Sequence, residues 1–155
     1  MKNLRPVIKA PADKWGIRTW VLSKFPEKYQ DMTYIEPFGG SLEMLFSKEK
    51  SRREIVSDID GEIINIYRAI RDEPGELTRR MNLYKHTPET FEKIEKKKSC
   101  DDYMEEAVHE LMLRKMSRNG QKKSYLKMSS LKAWKEGIAS LLRNGERMRE
   151  VFVLE

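Results

Sequence analysis

Residues 33–46, TYIEPFGGSLEMLF, set a carboxylate, Glu36, directly before a Pro37-Phe38-Gly39-Gly40 break, after which an apolar run resumes. Glycines at such a bend let the main chain approach a ligand closely, because no Cβ stands in the way. A second apolar stretch, Ile55-Val56-Ser57, closes on Asp58. Its distance from Gly40 is close to the spacing of about 20 residues at which an acid on the next strand accepts hydrogen bonds from ribose hydroxyls. Glu36 repels phosphate and suits a cation. The G-x-G-x-x-G pattern of dinucleotide sites is absent. Two acids at neighbouring strand ends therefore suit a positively charged nucleoside, a sulfonium such as S-adenosylmethionine, better than NAD or ATP. Taken singly, Gly39-Gly40 is also an ordinary turn, and Asp58 is equally an N-cap for a helix opening at Gly61.

The elements that must position these residues follow from periodicity. Strands are expected at 32–36 and 54–57, with helices at 14–25, 42–47 and 61–71. Strand, helix, strand, helix implies α/β architecture with a parallel sheet. After Pro74 the spacing is helical at 76–84, 88–97, 103–116 and 131–148, and a strand pattern returns only at 151–154. The organisation read from this is an N-terminal cofactor-binding part over 1–73, a helical insertion over 74–149, and a return strand at 150–155. Met104, Met112, Met116, Trp134 and Leu141 are read as core of the helical layer.

At 155 residues, with 39% hydrophobic and 36% charged side chains, the chain is long enough for one ordinary domain. Its apolar stretches are too short for a membrane span and no signal-type run opens it, so the cytoplasm is the expected compartment. The single cysteine, Cys100, has no histidine beside it in sequence and is read as incidental. His86 and His109 lack metal-ligand spacing, so metal chemistry is not expected.

Net charge is +6, and its distribution is uneven. Residues 112–135 carry Arg114, Lys115, Arg118, Lys122, Lys123, Lys127, Lys132 and Lys135 without an Asp or Glu. Such a stretch attracts a phosphate backbone, although a solvated basic helix face would look the same. Asn119-Gly120 favours a tight turn, which puts the densest charge on a protruding loop.

The run YIEPFGGSLEMLF, followed by IVSDIDGEIINIYRAIRDEPGEL, resembles the opening of the Dam-like DNA adenine-N6 methyltransferases, whose cofactor loop follows a Tyr-x-Glu-Pro-Phe-x-Gly pattern. VIKAPADK is similar to that family's N-terminal motif. The resemblance is strong over residues 7–77 and weaker to 155. It implies a partial Rossmann-like S-adenosylmethionine-dependent methyltransferase fold with a helical target-recognition region, of the kind used in restriction–modification. It further implies cofactor contacts at Lys14, Glu36, Pro37, Phe38, Gly39, Gly40 and Asp58. In the basic loop, Arg118, Asn119, Gln121, Lys122, Lys123 and Tyr125 are the expected contacts to double-stranded DNA, with Lys122 and Lys123 on phosphates and Arg118 and Asn119 on bases. Departures are Ala10 for an aromatic residue, Ala12-Asp13 for a Gly-Gly pair, and Leu42 at a usually small position.

The family's Asp-Pro-Pro-Tyr motif, which holds the adenine amine and stacks on the flipped base, has no counterpart in the 155 residues. The chain is therefore read as a cofactor-binding and DNA-recognition portion, inactive alone, that needs a complementing C-terminal half or self-associates through open sheet edges. Two alternatives stand beside it. One is a noncatalytic DNA-binding remnant or phage-type decoy; the other is a helical nucleic-acid module whose α/β opening is only structural.

Overall fold

The computed structural model describes residues 4–9, 16–97 and 100–154. Short alternating runs form the strands β1 (Thr33–Glu36), β2 (Arg53–Ser57) and β3 (Val151–Leu154), which pair in parallel in the order β1-β2-β3. Parallel neighbours need crossovers. Helix α2 (Glu43–Ser47) makes the first, and the second runs through α3 (Gly61–Asp72), α4 (Pro74–Met81), α5 (Pro88–Glu95), α6 (Tyr103–Lys115) and α7 (Leu131–Met148). The expected α/β class and the helical stretch between the second and third strands are both present.

The helix boundaries follow from capping chemistry. Asp60, Thr87, Asp102 and Ser130 each accept backbone N–H groups at the starts of α3, α5, α6 and α7, supplying acceptors the first turn otherwise lacks. The helix expected from residue 76 begins instead at Pro74, because proline is pre-shaped for the first helical position and forfeits no intrahelical bond there. The helix expected over 14–25 is, among the described residues, the single turn α1 (Arg18–Leu22), which buries no residue and leaves Trp20 63% exposed. Its one turn rests against α2 and is too short to cover an apolar stripe.

Strand register decides which side of the sheet is covered. Glu36, Val56 and Val153 lie in one row and are buried, whereas the next row, Ile35, Ile55 and Phe152, lies on the opposite face, where Ile35 and Phe152 are exposed. Helices α3 and α7 cross the covered side, and one apolar cluster runs from Val7 through Ile64, Ile70, Leu111 and Met112 to Val153. Each such side chain, fully buried, contributes roughly 1.5–3 kcal/mol. The residues expected in the core are there: Met104, Met112, Met116 and Leu141 are buried, and Trp134 packs against them half-buried. Gly145 is required where α7 passes the start of α4, since a Cβ there would stand 2.6 Å from the Pro74 ring.

A buried ion cluster ties this layer to the sheet. Arg147 on α7 sends both terminal nitrogens to Glu54 on β2, one at 2.8 Å, and a further bond of 3.0 Å to the Leu45 carbonyl. Lys48 and the Ser51 amide complete the shell of Glu54. Burial alone would raise the Glu54 pKa, but the hydrogen bonds from Arg147, Lys48 and Ser51 outweigh it and hold the carboxyl below its ordinary value. Among the described residues, no helix is long and apolar enough to cross a membrane.

Candidate functional site

The carboxyl ends of β1 and β2 are joined through one turn, residues 37–42. The Gly39 amide donates to the Ser57 carbonyl at 3.0 Å, and the Gly40 amide to Asp58 Oδ2 at 2.8 Å. Gly40 has φ +50°, a left-handed conformation that glycine adopts without strain. A Cβ on Gly39 would lie 2.7 Å from Leu42 Cδ2 and 3.2 Å from the Ser57 oxygen, so the two strand tips come this close only around a glycine. Tyr67 on α3 secures the turn from below by donating to the Gly40 carbonyl at 2.8 Å, and burial raises its phenol pKa well above the ordinary value.

Asp58 is half-buried, and its other oxygen accepts the Asp60 amide at 2.9 Å. The helix-capping alternative is resolved by geometry: Asp60, not Asp58, accepts from Glu62 and Ile63, because the cap must immediately precede Gly61. Glu36 lies on the covered face of β1, where Oε2 takes the Leu45 amide at 3.1 Å and the Tyr34 hydroxyl at 2.8 Å. Burial first, and the adjacent Glu36 second, push the Tyr34 phenol far up. Glu36 and Asp58 thus hold opposite ends of one turn, at Leu45 and Gly40, rather than facing each other across open space. Lys14 and the departures Ala10, Ala12 and Asp13 lie outside the described residues. Leu42 adopts φ +52° as the N-cap of α2, a conformation that costs a branched residue energy.

Two large apolar side chains stand in solvent at the same tips, Phe38 at 81% exposure and Ile59 at 98%. Phe38 was anticipated from sequence, Ile59 was not. Its signal is its place between two aspartates that are both engaged with main-chain amides, which leaves the intervening side chain only outward room.

The basic loop lies beyond α6. Asn119 and Gly120 both have positive φ, 51° and 68°, as an Asn-Gly turn requires, and Ser117 bridges Tyr125 across the loop. Arg118, Asn119, Gln121 and Lys123 are exposed. Lys122 instead reaches Glu62 at 2.5 Å and Glu110 at 2.8 Å. Burial lowers its pKa, yet the two carboxylates more than compensate and leave it raised. Arg114 binds Glu110 at 2.6 Å and Asp60 at 3.0 Å, which links the loop's base to the strand tips. Tyr125 turns inward, donating to the His86 carbonyl at 3.2 Å with its ring against His86 and Phe91. Among the described residues, no group of three or more His, Cys, Asp or Glu is arranged to hold a metal.

A family model described as D12 class N6 adenine-specific DNA methyltransferase matches residues 13–130, and the chain belongs to that family. It is 34% identical over 77 residues to the type II methyltransferase M1.LlaDCHI of Lactococcus lactis subsp. cremoris, a match covering 48% of this chain and 25% of that protein.

Proposed function

We propose that the chain is the cofactor-binding and DNA-recognition portion of a site-specific DNA adenine-N6 methyltransferase that uses S-adenosylmethionine, with a partial Rossmann-like fold. The observation that carries this reading is the bond of 2.8 Å from the Gly40 amide to Asp58 at the tips of adjacent parallel strands. After accepting two amides, the Asp58 oxygens retain lone pairs for ribose hydroxyls. Phe38 and Ile59 offer exposed apolar surface beside it for a purine ring. These residues fit the nucleoside part of the cofactor, and Lys14, Pro37 and Gly39 belong to the same proposed site. Glu36 acts through the turn it holds. S-adenosylmethionine, when bound, supplies an activated methyl group for direct displacement, so the protein's share is position and electrostatics.

DNA is the proposed second partner. Arg118, Asn119, Gln121 and Lys123 are placed to reach it, and Lys122 exchanges its carboxylate partners for a phosphate on docking. Tyr125 supports the loop from inside. Residues that orient the adenine amine would come from a segment outside these 155 residues, because no two prolines adjoin anywhere in them. The bare sheet face with Ile35, Phe152 and Leu154 exposed is where a complementing half or a second copy would pack. The same lack of adjoining prolines favours a second reading, a noncatalytic DNA-binding remnant of such an enzyme.

Isothermal titration calorimetry separates the two. Binding of S-adenosylmethionine and S-adenosylhomocysteine that is lost in Asp58→Ala supports the cofactor reading. An absence of heat at about 1 mM ligand, a concentration that detects even weak complexes, would leave the DNA-binding remnant.

A further inference from the structure

The junction of α3, α5 and α6 holds a cluster of reactive groups that the methyltransferase reading does not use. The half-buried Cys100 places Sγ 3.3 Å from Nδ1 of His109 on α6. The other ring nitrogen, Nε2, lies 3.2 Å from Glu105 Oε1 and 2.9 Å from the Tyr84 hydroxyl, which itself donates to Glu105. A carboxylate can only accept, so Nε2 carries the ring proton and Nδ1 turns a lone pair to the thiol. Thiol, imidazole and carboxylate stand in the order of a nucleophile, its base and the group that orients the base. Arg80 from α4 holds Glu105 from the far side at 3.3 Å. Burial lowers the His109 pKa, Glu105 opposes this, and the charges of Lys97 and Lys93 add to the lowering, which favours the neutral ring, the form whose lone pair can accept a proton.

Cys100 and His109 line a cavity of about 310 Å³, room for a small organic molecule. Among its described lining residues, Glu62 and Glu110 are held by Lys122 and Arg114, which leaves Glu95 and Glu106 against Lys97. An excess of carboxylates in a cleft draws in cations and repels anions. The sequence alone concealed the site, because His109 meets Cys100 only once α6 has formed.

We propose that Cys100 is a base-assisted thiol that exchanges with small cationic disulfides admitted by this cleft. His109 Nδ1 takes the thiol proton and the sulfur attacks one sulfur of the disulfide. The disulfide bond breaks, and the departing thiolate receives the proton back from the imidazolium. One thiol and one disulfide become a mixed disulfide and a free small thiol, with the incoming disulfide as the oxidant. Lys122 and Glu110 line the same cavity, so the adduct would share it with the ion pair that holds the basic loop. Nothing in this reaction depends on the strand-tip site.

The test follows mixed-disulfide formation by intact-mass spectrometry, with cystamine as the cationic probe and glutathione disulfide as the anionic one. At pH 7 the folded chain is expected to react with cystamine about tenfold faster than the same chain unfolded in urea, the acceleration a neighbouring base gives a thiol. The preference for cystamine over glutathione disulfide should also exceed that of the unfolded chain. His109→Gln should reduce the folded rate to the unfolded one. Since that change could loosen α6, Glu105→Gln provides the second variant, with a slower reaction and a displaced pH–rate profile at unchanged circular dichroism. A folded chain that reacts no faster than the unfolded one, or that does not favour the cationic disulfide more than the unfolded chain does, overturns the proposal.

Discussion

The acids of the sheet and those that hold the basic loop are engaged in different ways. In the sheet, Glu36, Glu54 and Asp58 accept main-chain amides at Leu45, Ser51 and Gly40, and the cations that Glu54 adds are themselves buried. In the helical layer, Glu62 and Glu110 hold Lys122, a lysine with partial access to water. An amide contact fixes the shape of a turn and cannot be traded. A part-exposed ion pair can be exchanged for another anion at small cost. The strand tips are therefore built to hold one geometry, and the loop beyond α6 is built to change partners.

The largest expected effect tests the locked side. Arg147→Met leaves Glu54 buried with Lys48 as its one remaining cation and should cost about 3–5 kcal/mol in urea unfolding, the usual penalty for breaking a buried pair. A loss below about 1 kcal/mol would erase the contrast.

The next concerns a cation in the helical layer that burial penalises. Lys115 is half-buried, and desolvation first and the charge of Lys9 second lower its pKa to about 8. The unfolded lysine stays protonated to higher pH, so folding sheds a proton in that window and stability rises as pH climbs from about 8 towards the ordinary lysine value. Lys115→Met should flatten that rise and add about 1–3 kcal/mol at pH 7, because the buried charge is gone. Parallel pH–stability curves for the two proteins would refute it.

The smallest effect is on stability at the exchangeable side. Lys122→Met should change unfolding by no more than about 1 kcal/mol. In DNA binding it should lower the slope of log affinity against log salt by about one unit. A cost above about 3 kcal/mol would mean that this pair is as locked as Glu54 with Arg147.

What was legible in sequence was local. Strands at Ile35 and Val56, the turn at Gly39-Gly40 and helix starts at Pro88 and Leu131 depend on neighbours a few residues apart, where periodicity and capping act. The cap of the Gly61 helix was misplaced at Asp58, and the structure gives it to Asp60, which adjoins Gly61. The pairings of charge were not legible. Arg114 meets Asp60 across 54 residues and Lys122 meets Glu62 across 60, so a stretch that reads as uniformly basic has part of its charge offset by acids from another helix. Tyr125 looked like a loop side chain but closes over His86 and Phe91. Cys100 looked inert because His109 reaches it, and Tyr84 reaches His109, only through the packing of helices.

The register of Glu54 with Val151 has a consequence for assembly. These partners can meet only after the chain between them has been gathered in, and the entropy of closing so long a loop must be met before the pairing returns anything. Five helices therefore form the path to the third strand. Excising them would remove what brings β3 to β2 and leave Glu54 without Arg147, so the layer that carries the basic loop is also a scaffold on which the sheet is completed.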